Sequence, residues 1–194
     1  RRRGRPAGLR EGAEPARPVG QGAPEGPDGA QLEALPRGVR RQQPLQDGGP
    51  FRAAAAAGRW LAGRYDQADL ELFGYDTYAL CSDGDIMEGI GCEAASLAGH
   101  LKLSNLCWIY DDNKITIEGN TDLAFSEDVS KRFAGLGWNT ITIEDANDLA
   151  AIHAAFNTFH QTSDRPTIII LRSIIGYGSP NKANTHGAHG APLG

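Results

Sequence analysis

Between Tyr78 and Ile115 two short apolar runs each stop at acidic or amide side chains, with one helix-length segment between them. The first run, Tyr78-Ala79-Leu80-Cys81, ends at Ser82-Asp83-Gly84-Asp85; the second, Leu106-Cys107-Trp108-Ile109-Tyr110, ends at Asp111-Asp112-Asn113. Apolar runs of this length bounded by turn residues read as strands. Glu88 to Leu101 instead repeats Ile90, Ala94, Leu97, Ala98 and Leu101 at three- and four-residue spacing, which reads as a helix. Strand, tight turn, helix and strand make a unit that joins parallel strands. Asp83 and Asn113 then stand at the carboxyl ends of two strands, the edge where open α/β sheets bind ligands.

The rest of the chain continues the alternation. Ala53 to Tyr65 is a helix former, followed by a connector with Leu70, Leu72 and Phe73. Asp76 to Cys81 reads as a buried strand and Leu106 to Tyr110 as the next strand. A short helix is expected over Glu127 to Gly135 with Ser126 as its N-cap, then a strand over Trp138 to Ile143. Asp145 to Gln161 places Leu149, Ile152, Ala155, Phe156 and Phe159 on one helical face, and Pro166 to Leu171 reads as a strand buried on both faces. Trp108, Trp138, Phe156 and Phe159 fall on core faces. The order β-α-β-α-β-α-β predicts a three-layer α/β/α fold with a mainly parallel sheet, in a domain covering residues 53–194. The Gly-, Asn- and His-rich stretch from Gly176 to Gly194 has no period and reads as a functional loop or a run toward a further domain.

Residues 1–52 are different in kind. About two-thirds of the first 50 are Arg, Gly, Pro or Ala, with no Ile, Lys or aromatic residue. Such a segment buries too little apolar surface to offset its ordering entropy, so disorder is expected. Three origins stay open: a natural disordered or targeting tail, an Arg/Gly tail that touches RNA, and an out-of-frame or chimeric translation of GC-rich sequence. The abrupt composition change near Arg59 favours the third. Over the whole chain of 194 residues the formal charge is −5 and the pI about 5.5, which argues against a nucleic-acid partner. No apolar run suggests a membrane span. The three cysteines, Cys81, Cys92 and Cys107, lack metal spacing and read as reduced thiols of a cytoplasmic protein.

The chemistry gathers at the two strand ends. A carboxylate at Asp83 followed by Gly84 suits a cation bridging to a phosphate, with the Gly84 N–H free to approach the anion. Asn113, thirty positions later, offers an amide oxygen, and Ile115 a backbone carbonyl. An all-oxygen set of this kind suits a hard cation, Mg²⁺ or Ca²⁺. Taken singly, Asp83 and Asn113 are as well explained as a helix cap and a turn former; as a pair they make a site.

Asp83-Gly84-Asp85 with Asn113 resembles the thiamine-diphosphate motif, and the surrounding blocks resemble transketolase. These are Asp83 to Gly89, Glu93 to Leu101, Tyr110 to Ile117, Ile175 to Lys182 and His189 to Leu193. The similarity runs from Arg59 to Gly194. It implies transfer of a two-carbon ketol unit between sugar phosphates in the pentose phosphate pathway, with thiamine diphosphate and Mg²⁺ (or Ca²⁺) as cofactors. It further implies that Asp83, Asn113 and the Ile115 carbonyl are metal ligands and that Gly84 and Asn113 contact the diphosphate. Ile117 would touch the cofactor near its thiazolium ring, and His189 would act at the diphosphate and the substrate. Glu88 and Glu93 would lie near the interface of a homodimer, whose close contact the small-residue helix would supply.

Departures from the family pattern narrow that expectation. Ser82 stands where the general motif has Gly. The family's upstream Gly-Pro-Leu-Gly-Gln-Gly segment and histidines are absent from residues 1–58, and Gly49-Pro50-Phe51 does not replace them. The pyrimidine-binding domain, with its activating Glu, is expected beyond Gly194. The chain thus resembles half an active site and is expected to be inactive alone. The alternatives are another thiamine-diphosphate enzyme, such as one like dihydroxyacetone synthase, and a fragment that only binds cofactor or a partner subunit.

Overall fold

The computed structural model describes residues 49–193. The disorder expected over residues 1–52 therefore lies outside the described residues, except that Gly49–Arg52 belong to a helix. That helix, α1 (Gly49–Tyr65), precedes a connector in which the Asp66 carboxylate accepts from the Leu72 and Phe73 amides. Then come β1 (Thr77–Ser82), α2 (Asp83–Met87), α3 (Gly89–His100), β2 (Leu106–Asp112), a small hairpin of β3 (Ile115–Thr116) and β4 (Gly119–Asn120), α4 (Val129–Gly135), β5 (Asn139–Ile143), α5 (Leu149–Gln161) and β6 (Thr167–Arg172).

Four strands form one parallel sheet in the order β1-β2-β6-β5. Side chains alternate between its two faces, as strand geometry requires. Trp108, Tyr110, Ile168 and Ile170 pack with α1, α3 and α4 on one face, and Cys107, Ile169 and Ile143 pack with Ala155 and Phe159 of α5 on the other. The three-layer α/β/α architecture is thus present, with β6 buried on both faces. The first face has an aromatic centre, in which the rings of Trp108, Phe133 and Trp138 lie 5.1–5.6 Å apart.

Several local expectations are corrected. The turn after β1 is itself the five-residue helix α2, and α3 begins only at Gly89. The N-cap of α4 is Asp128, whose carboxylate accepts from the Lys131 amide at 3.0 Å, and not Ser126. Leu149 opens α5 and is 76% exposed; the buried residues of that helix are Ala155 and Phe159, further along it. Leu80 is 70% exposed: β1 is an edge strand, and the α5 aromatics Phe156 and Phe159 cover that face only at Tyr78.

The largest correction concerns α3. Its buried face is Gly91, Ala94, Ala95 and Ala98, while Ile90, Leu97 and Leu101 point outward. Packing is so close here that a Cβ on Gly91 would stand 2.9 Å from the Asp85 carbonyl oxygen. Small residues are spent on contacts within the chain, so the large apolar side chains are rotated to the surface. The small-residue face is therefore not free to meet a second copy.

Candidate functional site

Register builds the site. Ser82 pairs with Asp111 across β1 and β2, so Asp83 and Asn113 leave adjacent strands at the same edge of the sheet. The crossover into β2 packs α3 on one face, and the crossover into β6 packs α5 on the other. The strand order breaks between β2 and β6, and a crevice opens outside the carboxyl ends at such a break. A cavity of about 530 Å³ lies there, lined by Asn113, Lys114, Ile115, Arg172, Ser173 and Asn184 among others.

Asp83 is the first residue of α2 and is only 2% exposed. Its Oδ1 accepts a 2.5 Å hydrogen bond from the Tyr110 hydroxyl, and its Oδ2 is buried without any partner among the described residues. Burial pushes the Asp83 carboxyl above its usual range; the Tyr110 hydrogen bond opposes this, and the charge of Asp112 adds to it. The turn itself is held by Asp85, whose Oδ2 accepts from the Ser82 amide at 2.8 Å and from the Ser82 hydroxyl at 3.0 Å. Ser82 therefore contributes a side-chain bond that glycine would lack. A Cβ on Gly84 would meet only the Ser82 hydroxyl, at 3.9 Å. The Cβ direction at Gly84 is therefore open.

The second strand end is a tight turn. The Asn113 Oδ1 accepts from the Ile115 amide at 2.9 Å, and its Nδ2 donates to Asp111 Oδ2 at 3.2 Å. Asp111 also accepts from the Ser173 hydroxyl, which ties the turn to the end of β6. Between the two ligand candidates, Lys114 adopts φ of +63°, a left-handed conformation rare for a side-chain-bearing residue. Strain of this kind persists where the surroundings over-determine it. Here the Lys114 ammonium pairs with Asp112 at 2.7 Å, and the Lys114 carbonyl accepts from Thr121 at 2.9 Å.

The remaining expected site residues are distributed unevenly. Ile115 is buried at the start of β3, while Ile117, in the hairpin turn, is 68% exposed and available to an apolar ligand surface. Glu88 caps α3 and Glu93 lies on it, both exposed. His189 follows a short 3₁₀ turn, is exposed, and has no side-chain hydrogen bond among the described residues; it does not line the cavity. Tyr110, Asp111, Asp112 and Ser173 were missed as site residues. Tyr110, Asp112 and the alternation of β2 are visible in sequence, but their meeting with Asp83 depends on strand register.

The residues present fit a divalent cation on one specific count. Asp83 Oδ2 is a buried carboxylate oxygen with nothing to satisfy it, a costly state that a bound cation removes. Asn113 and the turn at Ile115, at the end of the adjacent strand, carry the neutral oxygens of the expected set. Among the described residues no three His, Cys, Asp or Glu side chains gather for a metal, so this donor set is one carboxylate with amide and carbonyl oxygens.

Fold and site together define a parallel α/β domain that gathers a buried carboxylate and an amide at the carboxyl ends of adjacent strands. Residues 44–194 match the family model of the transketolase thiamine diphosphate binding domain. The chain is 49% identical over 140 residues to a transketolase of Geobacillus stearothermophilus and 51% identical over 141 residues to one of Nostoc sp.. Each match covers 72% of this chain and 21% of the relative. Among solved structures, the transketolase of Leishmania mexicana superposes with a TM-score of 0.73 at 35% identity, over 75% of this chain and 22% of that one. A Pichia stipitis transketolase complexed with sedoheptulose-7-phosphate gives 0.72 at 42% identity, over 74% and 21%. The chain belongs to the transketolase family. It spans about a fifth of the length of the curated relatives it matches.

Proposed function

We propose that this chain is the Mg²⁺- and diphosphate-anchoring half-site of a transketolase-type enzyme, which moves a two-carbon ketol unit between sugar phosphates in the cytoplasm. The observation that carries this reading is the unpartnered, buried Asp83 Oδ2 beside Asn113, in a chain of the transketolase family. Support for the substrate class comes from Pichia stipitis transketolases solved with sedoheptulose-7-phosphate and fructose-6-phosphate.

In this reading Asp83, Asn113 and the Ile115 carbonyl hold Mg²⁺, for which Ca²⁺ can substitute. Asn113 and the Gly84 amide hold the diphosphate of thiamine diphosphate. Ile117 gives an apolar contact, and His189 acts at the substrate end. Bound thiamine diphosphate supplies a nucleophilic thiazolium carbon; the chain's own residues bind and orient it. The pyrimidine-binding domain and a second subunit supply what is left of the site. The exposed Met87, Ile90, Leu97 and Leu101, beside Glu93, form the surface for that subunit.

Isothermal titration tests the proposal. Thiamine diphosphate should bind the purified chain only with Mg²⁺ present, and Asp83→Ala should abolish binding. The chain alone should show no transketolase turnover, and a co-expressed pyrimidine domain should restore it. Cation-independent binding, or binding unaffected by Asp83→Ala, would refute the assignment.

A further inference from the structure

We infer that Tyr110 is the positioning residue that aims Asp83 at its cation, holding one carboxylate oxygen through its hydroxyl so that the other is left for the metal. The inference rests on Asp83 being a metal ligand, as proposed above. Tyr110 is fully buried in β2, and its ring is fixed in the core with Ala79, Cys81, Ile168 and Ile170. Its hydroxyl is therefore delivered from a rigid strand rather than from a loop. A terminal carboxylate torsion is broad and roughly two-fold, so without a fixed donor the Asp83 oxygens can exchange places. The 2.5 Å bond to Oδ1 removes that freedom, and of the two Asp83 oxygens it leaves Oδ2 with no partner among the described residues.

A second carboxylate competes for the same proton. Asp112 Oδ1 lies 3.1 Å from the Tyr110 oxygen, and a phenol has one hydrogen to donate. The shorter distance assigns it to Asp83. Asp112 is satisfied otherwise, by the Lys114 ammonium at 2.7 Å, with the Arg172 guanidinium 3.8 Å away. Lys114 thus frees the Tyr110 hydroxyl for Asp83, and does so from the turn that carries Asn113 and Ile115. The two strand ends are coupled beneath the ligand as well as through it. A buried tyrosine needs some partner for its hydroxyl in any fold, so the test must separate positioning from simple satisfaction.

Mn²⁺, followed by electron paramagnetic resonance on the purified full chain with thiamine diphosphate, provides that separation. The wild-type chain should bind Mn²⁺ in a cofactor-dependent way, and Asp83→Ala should not. Tyr110→Phe should bind it on the order of tenfold more weakly and with an altered bound-ion spectrum. Excess Mn²⁺ should then restore its affinity for thiamine diphosphate. If the wild-type chain holds no Mn²⁺, the metal reading fails and this inference with it. If the wild-type chain binds, Asp83→Ala does not, and Tyr110→Phe matches the wild type, the metal reading stands and the positioning role is overturned. A cofactor defect in Tyr110→Phe that no Mn²⁺ concentration restores overturns it too. Should Tyr110→Phe fail to fold, 3-fluorotyrosine at position 110 keeps the hydroxyl. Its ¹⁹F resonance should then shift on adding Mg²⁺ with cofactor, and an unmoved resonance refutes the role.

Discussion

Gly99→Ala should be among the most damaging single-methyl additions to this domain. Gly99 lies near the carboxyl end of α3, and a Cβ there would stand 1.9 Å from the Leu136 carbonyl oxygen and 3.1 Å from its carbon. Either α3 or the turn between α4 and β5 must move by about 1 Å to restore an ordinary contact. The obstacle is backbone, and that backbone is anchored. Leu136 donates to the Arg132 and Phe133 carbonyls, Trp138 donates to the Phe133 carbonyl, and the Trp138 indole donates to Ala95 of α3 at 2.8 Å. Overpacking of this kind costs about 1–3 kcal/mol or more, against a gain of about 1 kcal/mol from replacing glycine in a helix. Because the obstacle is anchored backbone, the cost lies at or beyond the upper end of that range, leaving a net loss of about 2 kcal/mol and a fall in Tm of roughly 4–8 °C for a chain of this size. Gly63→Ala in α1 is the control. Its Cβ would meet nothing within 4 Å, so the helix gain stands alone and Tm should rise by roughly 2–4 °C. Thermal and urea unfolding of both variants checks the reasoning. A Gly99→Ala chain as stable as the wild type would falsify it.

Other consequences follow from single groups. Arg132 donates to the Ile86 carbonyl at 3.0 Å and to the Cys92 sulfur at 2.8 Å, and pairs with Glu127 at 2.8 Å. It ties α4 to the junction of α2 and α3, so Arg132→Met should cost about 2–3 kcal/mol in urea unfolding. Asp83→Asn removes a buried charge with an unpartnered oxygen, and should stabilise the cation-free chain by about 1 kcal/mol. The wild type should gain Tm on adding Mg²⁺ with thiamine diphosphate, and this variant should not. Burial pushes the Cys107 thiol up from 9.0 to about 12. The folded state thus keeps a proton that the unfolded chain releases first, so this contribution to stability is complete below pH 9 and is lost as pH rises toward 12. The loss amounts to roughly 4 kcal/mol at most. Urea midpoints between pH 8 and 11 should fall accordingly, and Cys107→Ala should flatten part of that slope.

The strand ends were legible because both signals are local. An apolar run that stops at Asp83 or Asn113 is read within a few residues, and thirty positions between them is one crossover. The partners of those residues were not legible. Tyr110 is visible as a strand residue, yet only the pairing of Ser82 with Asp111 brings its hydroxyl under Asp83. On α3 the apolar spacing pointed to Ile90, Ala94, Leu97, Ala98 and Leu101; the structure buries Ala94 and Ala98, together with Gly91 and Ala95, and leaves the three large residues exposed. Periodicity ranks residues by transfer free energy, whereas the close approach of Leu136 and Asp85 selects them by volume. The N-cap of α4 was misplaced because Ser126 and Asp128 are both good caps, and only the path of the chain decides between them.

By itself the sequence determined the alternation of strand and helix, the parallel sheet that alternation demands, and the family blocks around Asp83 and Asn113. These depend on neighbours along the chain and on side-chain chemistry, which survive in any folded context. Tertiary structure alone decided which carboxylate oxygen is left without a partner, which hydroxyl holds the other, and which face of α3 meets solvent. Those outcomes depend on distances of a few tenths of an ångström between residues far apart in sequence, set by register and packing. Asp83 was recognisable as a candidate ligand from its position in the chain; that Tyr110 bonds one of its oxygens, with Lys114 occupying Asp112, is a property of the fold.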